Sequence, residues 1–394
     1  MKKRMVLVIT ALLLCTSFAF TGCSGQNASD EKSSSAAEST AVSAESTEQS
    51  SEQSQENSEE SSSESSEGFP GTVSFETTDE KIQESVNEVI DNYQFEGVVY
   101  IEKAGKPVAA FCKATLDDDT EVTMDTPVPI GSTSKQFCAV SVLLLQDQGK
   151  LKVEDTIDKY YPEYKYGNKI TIKHLLSMTS GIPTYNESLN EYISPEKSAE
   201  ENGDGFYKWI FDQKLGFEPG EGFLYSNGGY YLLSGIVEQV SGEDYKSFVR
   251  KNIFTPVGME HTGFISELQS SPEWAGGTKY NILDDSCGAT RGAGDMVSTG
   301  SDITKWLSAL SSGKVISDES YKQMITDYAP SDHYGFGFYL EMNGGYGHPG
   351  AIDKYRDYDY INVDKDYTMY MWSNNIDTYA NSEIFYALLD GTME

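Results

Sequence analysis

Apolar residues recur at Ile82, Val86, Val89 and Ile90, three or four positions apart, and predict an amphipathic helix over 80–92. The period then changes. The stretch FEGVVYIEKAGKPVAAFCKA holds two β-rich runs joined by Ala104-Gly105-Lys106, which is a hairpin pattern. From 133 to 312 helical patterns dominate, broken by Gly and Pro, over 133–148, 171–178, 205–214, 228–241, 244–254 and 301–312. Strand patterns return after 335 in YGFGFYLEM, DYDYINVD and YTMYMWSN, with Asp364-Lys365-Asp366 as a tight turn between the last two. A final helix is expected over 379–390.

Strands at both ends with helices between them predict an α+β fold. One antiparallel sheet would be built from the N- and C-terminal strands and flanked by helices, with a mostly helical lobe inserted. A site is expected between the sheet and that lobe, where pockets commonly form.

The first 68 residues do not fit this pattern. Met1-Lys2-Lys3-Arg4 precedes an apolar run from Met5 to Phe20, the order of a secretory signal. A run of about 16 residues is shorter than the roughly 20 a spanning helix needs. Phe20-Thr21-Gly22-Cys23 resembles a lipobox, with Phe20 where Leu is usual. The expectation is a lipoprotein signal over 1–22 and lipidation at Cys23; the plainer alternative is ordinary cleavage with Cys23 incidental. Residues 23–68 are dominated by Ser, Glu, Gln, Thr and Ala and contain no aromatic residue, so they are expected to form a disordered tether. Residues 69–394 then make one large domain or two closely packed lobes.

Charge and cysteines narrow the partners. A formal net charge of −33 argues against nucleic acid and against a basic membrane-binding patch, leaving the lipid as the expected attachment to the extracytoplasmic face of a bacterial membrane. Of five cysteines, Cys15 lies in the signal and Cys23 at the lipid site. Cys112, Cys138 and Cys287 remain, an odd number. There is no C-x-x-C, and His174, His261, His333 and His348 lack metal-ligand spacing, so neither a metal, a cofactor nor a disulfide framework is expected. Cys138 reads as core and His174 as a satisfied structural histidine.

One conflict in the pattern carries chemistry. Residues 128–150 read VPIGSTSKQFCAVSVLLLQDQGK, a helix apolar on almost every side, yet its first turn holds Lys135. Ser132 stands three residues before it, on the same helical face. A serine hydroxyl needs a base to become a nucleophile, and burial among apolar neighbours is what makes a lysine one. The helix N-terminus adds amide N–H groups that suit an oxyanion. Taken alone, S-x-x-K is equally consistent with an N-cap serine and a solvated lysine.

Two further stretches weigh against that plainer reading. Tyr225-Ser226-Asn227 lies in a glycine-bounded loop before an apolar helix, and His348-Pro349-Gly350-Ala351 lies where a strand would pass the site. With S-x-x-K, Y-x-N and H-x-G in this order, the chain resembles the serine hydrolases of the penicillin-binding-protein and class C β-lactamase type, which include D,D-peptidases, D-aminopeptidases and esterases. The flanks ITIKHLLSMTSGIP and GAGDMVSTGSDITKWLSAL also resemble that family, and the likeness covers nearly all of 80–376.

The resemblance implies a β-lactamase/transpeptidase-like fold and a set of roles. Ser132 would be acylated, and Lys135 would hold or accept its proton. Tyr225 would act as base and then acid. Asn227 would hydrogen-bond Lys135 and the substrate, and His348 would take the third-motif cation position. Backbone N–H groups of Ser132 and Ala351 would form the oxyanion hole, with Gly350 beside the substrate. Family members that grip a substrate carboxylate often use third-motif hydroxyls, whereas Pro349 and Ala351 offer none. Arg356 or Lys354 could substitute as carboxylate binders; the alternative is charges solvated beside Asp357 and Asp359. The expected function is a membrane-tethered serine hydrolase working through an acyl-enzyme on a small-molecule or peptide ester or amide. Esterase or peptidase ranks above β-lactamase, and cell-wall peptide is one candidate substrate. The competing expectation is a surface binding or sensor protein that keeps the fold without turnover. Oligomeric state is not legible.

Overall fold

The computed structural model describes residues 79–116, 121–194, 197–268 and 289–393. The expected signal, Cys23 and the tether lie outside the described residues, as do Cys15 and Cys287.

Asp79 accepts the N–H groups of Lys81 and Ile82 and so starts helix α1, Glu80–Tyr93. Strands β1 (Gly97–Lys103) and β2 (Lys106–Lys113) form the expected hairpin, turning at Ala104 and Gly105 with φ of 54° and 66°. Then follow β3 (Val128–Pro129), α2 (Ser134–Asp147), α3 (Ile172–Leu176), α4 (Ala199–Asp212), α5 (Asn227–Ser241), α6 (Tyr245–Val249) and α7 (Thr255–Val257). Next come β4 (Gly263–Phe264), α8 (Ile265–Leu268), β5 (Met296–Ser298), α9 (Gly300–Ser311) and α10 (Asp318–Met324). The chain ends through β6 (Tyr339–Leu340), β7 (Tyr346–Ile352), β8 (Tyr355–Asn362), β9 (Tyr367–Ser373) and α11 (Thr378–Thr392).

The main sheet has the order β2-β1-β9-β8-β7-β6 and is antiparallel, so N- and C-terminal strands complete one sheet as the pattern predicted. Side chains alternate between its two faces. On β9, Tyr367, Met369 and Met371 join a core with α1 and α11, while Tyr370 and Trp372 join the core shared with the helical lobe. On β8, Tyr358 and Tyr360 belong to the first core and Tyr355 and Ile361 to the second. Both faces are therefore covered, in three layers.

The structure corrects several boundaries. The helix expected over 205–214 begins at Ala199, where Ser198 and Glu201 form a capping box. The helix expected over 244–254 is divided into α6 and a π turn, Arg250–Phe254. Of YGFGFYLEM only Tyr339–Leu340 is strand. Its glycines serve close approach instead, since a Cβ on Gly335 would lie 2.3 Å from the Met324 carbonyl oxygen. A second sheet, β3-β5-β4, was not foreseen; strands of two or three residues carry no period.

Candidate active site

Gly131–Thr133 form a single 3₁₀ turn that leads into α2. Gly131 has φ +45°, and a Cβ there would lie 2.7 Å from the Ala351 nitrogen. Glycine thus lets the turn press against the backbone of β7. Strand β6 covers β7 at Tyr346 and Gly347. Beyond that point β7 meets the Ser132 turn, and the Ala351 backbone comes to rest beside it.

Ser132 is partly exposed, whereas Lys135 is 0% exposed. Lys135 Nζ donates to Ser132 Oγ at 3.0 Å and to the Ala293 carbonyl at 2.5 Å. It also stands 4.8 Å from the Tyr225 ring centroid and 5.7 Å from that of Tyr230. The Ala293 carbonyl can only accept, so one Lys135 N–H points at it in either protonation state. A neutral amine held this way still has its lone pair and a second N–H, and it can turn the lone pair toward Ser132 Oγ to take a proton.

Nothing in the motif text pointed to Ala293. It sits in a turn closed by bonds from Ala293 and Gly294 N–H to the Thr290 carbonyl, and Gly292 N–H donates to Asp295. Arg291 anchors the turn through Glu238, Ser234 and Tyr207. The flank GAGDMVSTG therefore supplies the lysine's carbonyl partner.

The second motif opens α5. Ser226 caps the helix by accepting the Gly229 N–H. Its own N–H donates to Met178 Sδ, and Leu224 N–H donates to the Met178 carbonyl, with Met178 at φ 60°. The flank LLSMTSG thus holds Tyr225 and Asn227 in place. The expected Asn227–Lys135 hydrogen bond is not made: Asn227 Oδ1 is buried and accepts from no group among the described residues. The Tyr225 ring lies 6.1 Å from the imidazole of His348.

The third motif departs from expectation. His348 is fully buried and all its polar atoms have partners. Its N–H donates to Asp359 Oδ1 at 2.9 Å, and its carbonyl accepts from Thr133 at 3.3 Å. Nδ1 lies 2.8 Å from the Pro349 carbonyl, an acceptor, so Nδ1 carries the proton; Nε2 then accepts from Tyr334 Oη at 3.1 Å. Burial, reinforced by the nearby Lys135 charge, holds this imidazole down at about 3. It is neutral, and the third-motif cation expected from the resemblance is absent from this residue.

Arg356 is also corrected. Alternation along β8 places it on the face of Tyr358 and Tyr360, which packs on α11. It is buried there, with Nε donating to Thr378 at the start of α11 and Nη1 to the Asp353 and Tyr355 carbonyls. The turn bearing Ser132 lies on the other face, where Thr133 meets Asp357. Asp357 and Asp359 are not solvated but buried. His174 is the satisfied histidine expected, closing a capping box with Thr171. Among the described residues no group of His, Cys, Asp or Glu is placed to hold a metal ion.

Comparison with known proteins identifies the family. A family model described as Beta-lactamase matches residues 79–387. The chain is 33% identical over 280 residues to the putative penicillin-binding protein PbpX of Bacillus subtilis, covering 68% of each protein. It is 29% identical over 280 residues to penicillin-binding protein 4* of the same organism, covering 64% of this chain but 61% of that relative. The chain thus spans only about two thirds of the length of these relatives. Among solved structures, D-amino acid amidase from Ochrobactrum anthropi SV3 superposes with a TM-score of 0.65 at 22% identity, covering 79% of this chain and 98% of the other. A penicillin-binding protein homologue from Pyrococcus abyssi gives 0.64 at 24%, covering 80% and 78%. These structural likenesses bear on the fold alone, whereas the match over 79–387 and the 33% identity to PbpX make this chain a member of the beta-lactamase family.

Proposed function

We propose that the protein is a serine hydrolase that works through an acyl-enzyme on esters or amides lacking a carboxylate beside the scissile bond. The observation that carries this reading is the 3.0 Å contact between Ser132 Oγ and the buried Lys135 Nζ at the start of α2. Ser132 attacks the substrate carbonyl while its proton passes to Lys135 or, through it, to Tyr225. Backbone N–H groups of Ser132 and Ala351 hold the oxyanion. Asn227 Oδ1 accepts a substrate N–H, and Tyr225 protonates the leaving group. Water then releases the acyl group.

The substrate restriction is supported by the third motif. Pro349 and Ala351 offer no hydroxyl, and His348 is neutral with its polar atoms already engaged. Location is part of the same proposal. The signal-like N-terminus, Cys23 and the Ser/Glu-rich stretch suit a lipid-tethered enzyme on the outer face of the membrane, acting on small molecules or cell-wall peptide.

Intact-mass analysis after exposure to p-nitrophenyl esters, D-amino acid amides, D-Ala-D-Ala peptides and penicillin tests both points. An adduct or product with esters or amides, lost in Ser132→Ala, is expected. Absence of any adduct or turnover in wild type would defeat the reading. The engaged state of His348 favours one rival, a wall-binding protein without turnover; saturable binding of wall fragments with neither adduct nor product would identify it.

A further inference from the structure

Strand β8 places two carboxylates, Asp357 and Asp359, on the face that meets the Ser132 turn, and both are buried. Their surroundings differ in kind. Asp359 faces donors only: His348 N–H at Oδ1 and Gln136 Nε2 at Oδ2, the latter at 2.6 Å. Gln136 cannot turn its amide round without loss, because its Oε1 accepts from Trp306 Nε1 at 2.8 Å. The ionised form of Asp359 suits both contacts.

Asp357 faces a hydroxyl. Thr133 Oγ1 lies 2.6 Å from Asp357 Oδ2 and 3.3 Å from the His348 carbonyl oxygen. A hydroxyl has one proton to give. If Asp357 is ionised, that proton is wanted by two acceptors at once. Both contacts are satisfied together only when Asp357 Oδ2 donates to Thr133 Oγ1, and Thr133 donates onward to the His348 carbonyl. The other groups around Asp357 permit this. Gly350 on β7 leaves room for the carboxyl, since a Cβ there would lie 1.6 Å from Asp357 Oδ1. From α11, Asn381 donates to the Asp357 carbonyl rather than to its side chain. The charged or titratable neighbours are Asp359 and Arg356 on β8, Tyr370 on β9 and His348 on β7.

We infer that Asp357 holds a proton and serves as a positioning residue, tying the Ser132 turn to the third-motif strand through the chain Asp357–Thr133–His348 carbonyl. Burial, and the charge of Asp359 beside it, push the Asp357 carboxyl well above the usual range, in the same direction. The consequence is geometric. Thr133 follows the nucleophile, and Ala351 lies on the same strand as His348, so the link keeps the two N–H donors of the oxyanion hole in register. That consequence rests on the acyl-enzyme reading, whereas the proton does not.

Two measurements on the full chain test the assignment. Infrared spectra of the resting protein at pH 8 are expected to show the C=O stretch of a buried protonated carboxyl, lost in Asp357→Asn. No such band, or one that persists in that variant, overturns the assignment. For the positioning role, Asp357→Leu and Thr133→Val are expected to slow acylation by on the order of a hundredfold. Asp357→Asn, which keeps a donor toward Thr133, is expected to rescue most of the rate and to remove the decline of wild type at alkaline pH. An Asn variant as slow as the Leu variant shows that the ionised form is needed and overturns the proposal. Should wild type take no label from any substrate, the hydrolase reading fails while the infrared result still decides the proton.

Discussion

Ser132 and Lys135 face each other across 3.0 Å, and the lysine is locked from behind by the Ala293 carbonyl at 2.5 Å. The amine cannot swing away to solvent, because its whole side chain is buried. Replacing Lys135 by Arg keeps a charge but removes a group able to give up its proton. Lys135→Arg is expected to lower acylation by about a thousandfold or more, and Ser132→Ala, which lacks the atom to be acylated, is expected to abolish it. Near-normal labelling of Lys135→Arg with an activated ester would refute the base role.

Asn227 presents the opposite situation. Its buried Oδ1 has no partner among the described residues, so its removal breaks no bond there. Asn227→Leu is expected to leave the melting temperature unchanged or slightly raised while lowering kcat/KM for amides by about tenfold or more. A variant that melts well below wild type at full activity would assign Asn227 to the fold instead.

His348 sets an acid limit. Its folded value of about 3 lies below the usual 6.5, so the native state binds fewer protons than the unfolded chain between those values. The stability that His348 contributes is complete above pH 6.5 and is lost as pH falls toward 3. Urea unfolding at pH 7, 5 and 4 should show a steeper loss in wild type than in His348→Gln. Equal slopes would mean that His348 is charged in the folded protein.

Gly131 is expected to tolerate no side chain. At φ +45°, with the Ala351 nitrogen 2.7 Å from the position of a Cβ, Gly131→Ala should cost about 1–3 kcal/mol and spoil acylation. Chemical denaturation and ester labelling measure the two effects. A variant with wild-type values for both would show that the turn can relax.

Pro349→Thr restores a hydroxyl and an N–H to the third motif. Its acylation by penicillin or by a D-Ala-D-Ala peptide should rise relative to a neutral ester. No change in that ratio would show that Pro349 does not decide the substrate class.

Much of this architecture was readable from local text. The hairpin, α1 and the paired strands after 355 repeat with clear periods, whereas Ser132, Lys135, Tyr225 and Asn227 stand out as a set only through the order of three motifs that resemble the family. What closes around them was not readable, because those contacts join distant segments. The Ala293 carbonyl belongs to a backbone turn, and no side-chain motif marks it. Tyr334 reaches His348 from a segment that reads as strand but folds as glycine-bent loop. Arg356 and Asp357 are neighbours in sequence on opposite faces of one strand. Alternation was visible in RDYDY, but only the covering of both faces turns its acids into buried groups.

The sheet order has a consequence for the birth of the protein. Val98 on β1 pairs with Trp372 on β9, so an early hairpin must wait for one of the last strands before its sheet can close. Loops of that length close slowly, and half-built sheets leave strand edges exposed. A chain emerging from a ribosome or a translocation channel would therefore hold an incomplete sheet until its C-terminal strands arrive. Activity should appear abruptly at the end of synthesis, and chains stopped before β9 should be ready targets for proteases.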